Sequence, residues 1–121
     1  MKKIDYELIC CIVNEGMADN AMDVAKAAGA TGGTVLRARG TANKDAEAFF
    51  KITIEPQKEL IMILAPIAKK EDIMHALYEK AGLNTPGQGI TFALPVDNVA
   101  GLNKVNPIIT ENKEEQKKGL I

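Results

Sequence analysis

The sequence predicts an α+β domain, in which an antiparallel sheet carries two helices on one of its faces. Three features indicate this class: apolar runs of strand length, two stretches with apolar residues at helical spacing, and a glycine-rich corner joining each helical stretch to the next strand. The corners cover residues 29–35 and 82–92. With 121 residues, the chain forms one domain and can bury a core without disulfides or a metal.

The first half of the chain predicts a strand, a helix and a second strand. Residues 8–13 are a continuous apolar run, which is typical of a central strand buried on both faces. Asp19 or Asn20 can cap the helix that follows, and Gly29 ends it. Residues 34–38 form the second strand.

The second half repeats this order of elements. Residues 60–64 are an apolar strand that Pro66 ends, and a helix begins at residues 70–72, with acidic side chains in its first turn. Gly82 ends that helix, and residues 89–96 form the fourth strand.

The resulting order, βαββαβ, is the ferredoxin-like split arrangement. We expect residues 1–100 to form this domain, with residues 41–55 as a long flexible loop, because connections of that length are usually functional or disordered. Residues 98–102 can add a short turn or an edge strand. Residues 101–121, which include a run of charged side chains, form a tail.

Composition argues against several classes of function. The net charge is −1, which gives no electrostatic footprint for nucleic acid, and the scarcity of aromatic residues argues against base stacking. No apolar run is long enough to span a membrane. The N-terminal residues lack the apolar region of a secretory signal, so we expect a cytoplasmic protein.

The residues that could support catalysis or metal binding are few. Cys10 and Cys11 are adjacent, so on a strand they point to opposite faces, and they lack zinc-ligand spacing. His75 is the single histidine, and a lone histidine inside a helix is usually a surface residue. The dinucleotide fingerprint and the phosphate loop are both absent. We therefore predict no catalytic residues, no metal site and no enzyme activity.

Residues that could bind an anionic ligand are more numerous than residues that could support catalysis. The amides of Gly87, Gln88 and Gly89 stand at a strand entrance, where they could form an anion site, although two tight turns would explain the same glycines. Arg37 and Arg39 share a strand face beside a glycine corner and could bind a phosphate or carboxylate. Alternatively they lie on a solvated edge or form a salt bridge between subunits.

The loop carries candidate anchors for a partner protein. Phe49 and Phe50 lie together in it, with Lys44 nearby, and adjacent aromatics in a loop are suited to anchor a partner. The alternative is a hairpin whose aromatic pair packs back on the domain.

Together these motifs resemble the P-II nitrogen-regulatory signalling family over residues 1–99. Residues 29–35 correspond to that family's Gly-x-x-Gly-x-Thr-Val, and residues 87–92 to its Gly-Asp-Gly-Lys-Ile-Phe. The resemblance implies a homotrimer that binds nucleotides in clefts between subunits and reaches target proteins through the long loop. The implied nucleotide-binding residues are Thr34, Arg37, Arg39, Gly40, Thr41, Ile63, Gly87, Gln88, Gly89 and Ile90, with Ile63 lining the base pocket.

The chain differs from the family at the positions whose side chains bind phosphate in that family. Gln88 replaces the family's acid, Ile90 its lysine, and Gly101 and Asn103 stand where it has arginines. Each charge-assisted bond to phosphate contributes roughly 1.5–3 kcal/mol, so their loss argues against tight triphosphate binding by the usual geometry. The loop has no tyrosine to be uridylylated.

The resemblance therefore implies a divergent, non-enzymatic P-II-like sensor rather than a typical nitrogen regulator. Its expected ligand is ADP, AMP, ATP or a cyclic nucleotide, and its expected target is a transporter or metabolic enzyme. The alternatives are a structural trimer with a vestigial cleft and a trimer that binds divalent copper through His75 together with Cys10 or Cys11.

Overall fold

A computed structural model describes residues 5–41 and 56–102, and in these ranges it contains four strands and two helices. They are β1 (Tyr6–Asn14), α1 (Ala18–Ala27), β2 (Thr34–Arg39), β3 (Gln57–Pro66), α2 (Ile67–Lys80) and β4 (Gly89–Pro95). The sheet order is β2-β3-β1-β4, and every neighbouring pair is antiparallel. The predicted ferredoxin-like βαββαβ fold is thus confirmed.

The core lies between the two helices and one face of the sheet. Alternate residues of the central strands point into it: Ile9, Cys11, Val13, Ile61, Ile63 and Ala65, each at most 1% exposed. Ala21, Met22 and Ala25 from α1 and Ile73 and Leu77 from α2 complete it. The prediction that β1 is buried on both faces was only partly right, because Leu8 and Ile12 on the opposite face are half-buried and only Cys10 there is buried.

The start of α1 differs from the prediction. Asp19 and Asn20 lie inside the helix, and Met17 stands at the cap position without a side-chain hydrogen bond to the helix. The carboxylate of Glu59, on β3, accepts hydrogen bonds from the backbone N–H groups of Gly16 (3.1 Å) and Ala18 (2.9 Å). A residue of β3 therefore accepts from the first N–H group of α1 and from an N–H group in the turn before it.

The start of α2 also lies earlier than predicted. The helix begins at Ile67, directly after Pro66, and its first turn contains no acidic residue. The Ile67 N–H donates to the carbonyl of Asp5 at 3.0 Å, so the residue before β1 supports the helix entrance. Lys70, predicted to open the helix, instead lies within it and pairs with Glu7 at 3.2 Å. This ion pair raises the pKa of Lys70.

Residues 5–95 form one compact unit, and residues 96–102 are described separately. Within residues 96–102 the structure has a bend at Asp97 but neither the turn nor the edge strand predicted for 98–102. In the described part of the chain, no helix is both long and apolar enough to cross a membrane.

Candidate glycine-corner site

Four strand ends lie together at one end of the sheet. The register places Asn14 of β1 opposite Lys58 of β3, and Lys58 opposite Ala38 of β2. On the other side of β1, Gly89 at the start of β4 pairs with Val13. The glycine corner before β4 and the two ends of the 41–55 segment therefore lie at the same end of the sheet.

The segment's base is closed by backbone and side-chain contacts. The Gly40 N–H donates to the carbonyl of Pro56 at 2.8 Å. The stem of Lys58 lies over Gly40, because a Cβ on that glycine would come within 3.3 Å of the Lys58 Cε. Lys58 thus contacts the residue from which the segment departs.

Asn14 joins this base to the glycine corner. Its side-chain oxygen accepts a hydrogen bond from the Lys58 ammonium at 2.7 Å, and its side-chain nitrogen donates to the Gly87 carbonyl at 3.4 Å. An ammonium requires an acceptor and a carbonyl requires a donor, so one asparagine amide satisfies both neighbours.

The corner itself combines a turn with a close backbone approach. Gly87 has φ +81° with open space around it, whereas a Cβ on Gly89 would lie 2.5 Å from the Ile12 carbonyl oxygen and 2.8 Å from a Leu83 methyl carbon. The Gln88 N–H donates to the Thr85 carbonyl at 3.2 Å, so in the ligand-free chain this amide is bonded within the turn.

The glycines of the first corner have structural roles. Gly29 ends α1 at φ +121°, and the Ala30 N–H donates back to the Ala25 carbonyl at 3.0 Å. A Cβ on Gly33 would lie 2.9 Å from the Met62 carbonyl oxygen, so β2 can approach β3 only with glycine there. Thr34 follows as the first residue of β2 and is exposed.

The predicted nucleotide-binding residues fall into two groups within one chain. Arg39, Gly40 and Thr41 lie at the end of β2, and residues 87–90 lie at β4, the opposite edge of the sheet. Two strands separate these edges, a distance of about 14 Å at the usual strand spacing. Thr34 stands apart from both groups, because it pairs with Met62, four positions along β3 from Lys58.

The structure also shows where three further predicted residues lie. Ile63 was expected to line a base pocket, but its side chain is 1% exposed and packs in the core. Arg37 pairs with Glu15 of the same chain at 3.1 Å, whereas the salt bridge considered above would join two subunits. Ile90 is 58% exposed and points away from the helices. Lys44, Phe49 and Phe50 lie outside the described residues.

A second surface is the sheet face turned away from the helices, here called the open face. Its apolar side chains form rows across the strands: Leu36, Leu60, Ile12 and Ile90; Met62, Cys10 and Phe92; and Leu64, Leu8 and Leu94. Leu36, Ile90, Phe92 and Leu94 are 39–58% exposed. Exposed apolar side chains on adjoining strands are typical of interaction surfaces.

The metal hypothesis receives no support from the described residues. Cys10 belongs to the open face and Cys11 to the core, as their alternation predicted, and both are free thiols. Burial raises the pKa of the Cys11 thiol to about 11, with the Thr91 side chain opposing the shift. Across residues 5–41 and 56–102, no three His, Cys, Asp or Glu side chains are placed to hold a metal ion.

Asn14, Lys58 and Glu59 were not predicted as site or capping residues. Asn14 ends an apolar run and Lys58 follows a proline by two positions, so each has an ordinary local explanation. Only the register of β1 against β3 brings them together, and a single sequence gives no signal for that register.

Comparison with solved structures identifies the same architecture in known proteins, whereas no family model and no curated protein matches the sequence. A candidate PII-like signalling protein from Thermus thermophilus is 18% identical, with a TM-score of 0.58 over 79% of this chain and 90% of that one. CPII, a nitrogen regulatory PII-like protein from Thiomonas intermedia K12 bound to ADP, AMP and bicarbonate, is 12% identical, with a TM-score of 0.60 over 81% and 97%. The chain has the PII-like fold.

A DUF3240 family protein from Shewanella baltica OS155 shares this fold at 14% identity, with a TM-score of 0.60 over 80% of this chain and 96% of that one. These matches span nearly the full length of the known proteins. The fold expected from the sequence resemblance is thereby confirmed.

Proposed function

We propose that this protein is a non-enzymatic PII-like regulator, which binds an adenine nucleotide between subunits of a homotrimer and signals through residues 41–55. The observation that carries the proposal is the meeting of the glycine corner with both ends of that segment at one end of the sheet. A ligand bound at the corner would lie at the same end of the sheet as the segment that, in this proposal, responds to it.

In a trimer, a second copy of the chain would complete the nucleotide site. Within one chain the corner and the β2 group of candidate residues lie at opposite edges of the sheet, so a compact nucleotide site needs an edge from a second copy. The open face supplies a reason for copies to associate, because its exposed apolar side chains would be buried on assembly. The PII-like resemblance specifies three copies.

The nucleotide is proposed from chemistry and from a solved neighbour. CPII is bound to ADP and AMP, and the present chain lacks several cations that hold a triphosphate in the family. Ligands with fewer charges therefore suit this corner better than ATP. In our proposal the target is a transporter or metabolic enzyme, reached in the cytoplasm.

Calorimetric titration tests the proposal with ATP, ADP, AMP, cyclic AMP and cyclic di-AMP. We expect micromolar binding of at least one nucleotide at about one site per subunit, with AMP or ADP binding better than ATP. Absence of binding by all five would favour the alternative, a structural trimer with a vestigial cleft, which the missing cations at Ile90 and Gly101 support.

The location of the site is tested by Gly87→Val. Open space surrounds Gly87, so the valine would strain and block the corner locally, without a core clash. Gly16→Val is the matched control, because Gly16 has φ +91° and equally open space but lies outside the corner. Nucleotide binding lost only in Gly87→Val supports this location, and equal binding by both variants contradicts it.

A further inference from the structure

We propose that Asn14 is a positioning residue, which couples the glycine corner to the base of the 41–55 segment. It spans the gap between them with one side-chain amide, accepting from Lys58 and donating to Gly87. The proposal rests on the proposed function for its biological meaning, but the coupling itself is a property of the ligand-free chain.

The contacts form a continuous path across the sheet. Gly40 is bonded to Pro56, the Lys58 stem covers Gly40, the Lys58 ammonium reaches Asn14, and Asn14 reaches Gly87. Each contact joins residues distant in sequence, so the path exists only in the folded molecule. A shift of the Gly87 carbonyl removes the acceptor for the Asn14 side-chain nitrogen. The Asn14 amide, and the Lys58 ammonium bonded to it, then lose one constraint on their orientation.

The two hydrogen bonds of Asn14 are unequal. The bond from Lys58 is charge-assisted and short, whereas the bond to Gly87 joins neutral groups at 3.4 Å in an exposed position. The stronger bond fixes Asn14 to the segment base, and the weaker one responds to the corner. A ligand that moves the corner would thus change the constraint on the segment with little loss of stability.

Substitutions at Asn14 can remove its two hydrogen bonds together or remove one of them alone. Asn14→Ala removes both contacts. Asn14→Asp retains an acceptor for the Lys58 ammonium but cannot donate to the Gly87 carbonyl. Asn20→Ala makes the same chemical change on the exposed surface of α1 and serves as the control.

Amide hydrogen exchange of the ligand-free full chain is the measurement. In Asn14→Ala we expect exchange to accelerate about 2- to 10-fold in peptides covering the corner, the range for a neutral hydrogen bond, and by about 10-fold or more in those covering residues 40–58, where a charge-assisted bond is lost. In Asn14→Asp the acceleration should be confined to the corner. Asn20→Ala should accelerate neither. If exchange in Asn14→Ala accelerated at the corner alone or at residues 40–58 alone, the proposal would be overturned.

A double-variant cycle distinguishes coupling from loss of structure. Gly87→Ala perturbs the corner, since a side chain is strained at φ +81°. We expect Gly87→Ala to change exchange at residues 40–58 in the wild-type background but not in Asn14→Ala. The same change in both backgrounds would show that Asn14 does not transmit it, and the proposal would fail.

Titration with ADP separates this inference from the proposed function. If ADP protects both the corner and residues 40–58 in the wild type, and protects residues 40–58 less in Asn14→Ala, both proposals are supported. If ADP binds without protecting residues 40–58 in the wild type, coupling through Asn14 is contradicted. If ADP does not bind at all, nucleotide sensing by ADP fails, and the ligand-free cycle alone decides the role of Asn14.

Discussion

At the scale of single residues, the glycines of the second corner are required for different physical reasons. Gly89 allows β4 to approach β1, because a Cβ there would lie 2.5 Å from the Ile12 carbonyl oxygen. Gly87 has no atom near its missing Cβ and supplies only a positive φ. Gly89 is therefore a packing requirement, and Gly87 is the better position at which to probe ligand binding.

This difference predicts unequal costs for alanine. We expect Gly89→Ala to lower the free energy of unfolding by about 3 kcal/mol or more, since backbone must move to relieve the clash, and Gly87→Ala by about 1 kcal/mol. Urea unfolding followed by circular dichroism measures both. Equal costs would show that the close approach at Gly89 is absent in solution.

The Cys11 thiol gives a second prediction at the residue scale. Because burial raises its pKa from 9.0 to about 11, the folded state favours the protonated thiol more than the unfolded state does. The resulting stability is present below pH 9 and is lost as the pH rises through about 11, with a total of about 3 kcal/mol.

The measurement is the free energy of unfolding between about pH 8 and 11 for the wild type and Cys11→Ala. The wild type should lose more stability over this range than the variant, although the variant is less stable at the lower pH because of its smaller side chain. Parallel curves for the two proteins would contradict the raised pKa.

At the scale of elements, α1 depends on β3 for its N-terminal hydrogen bonds. Glu59 accepts from the backbone N–H groups of Ala18, the first residue of the helix, and of Gly16 in the turn before it. Formation of the helix start is thereby tied to the pairing of β3 with β1. The same dependence on a distant segment is seen in α2, whose Ile67 N–H is satisfied by Asp5 of the chain before β1.

We therefore expect Glu59→Ala to lower the free energy of unfolding by about 2 kcal/mol, because the N–H of Ala18 at the helix start and the N–H of Gly16 in the preceding turn lose a charged acceptor. Glu79→Ala, on the exposed surface of α2, is the control and should change stability by less than about 0.5 kcal/mol. Thermal unfolding compares the two. A small effect of Glu59→Ala, equal to that of the control, would mean that the carboxylate is replaceable by water.

At the scale of the whole molecule, the two sheet faces have different environments. The helices cover one face, and the open face presents rows of leucine, isoleucine, methionine and phenylalanine across all four strands. Burial of this apolar area by other copies is the driving force that we propose for the trimer.

Leu36→Lys tests this force, because Leu36 is 44% exposed on the open face and lies on an edge strand. We expect the substitution to shift a trimer toward monomers in size-exclusion chromatography with light scattering. Tyr78→Lys is the control, since Tyr78 is 50% exposed but lies on α2. A monomeric wild type, or dissociation caused equally by both variants, would contradict the assignment of this surface.

The sequence determined those features that depend on neighbours along the chain. Apolar runs of strand length, helices ended at Gly29 and Gly82, and the alternation of Cys10 and Cys11 follow from capping and from the two-residue period of a strand, so the order βαββαβ was predictable. The motifs at residues 29–35 and 87–92 were sufficient to indicate the PII-like fold.

Tertiary structure decided which distant residues meet. The pairing of β1 with β3 brings Asn14 to Lys58 and turns Ile63 into the core, and the approach of Glu59 replaces the local cap expected at Asp19 or Asn20. Such contacts depend on strand register, which is set by the packing of the whole apolar face and not by any short segment. The sequence therefore determined the elements and the resemblance, while the folded sheet decided the contacts of the site.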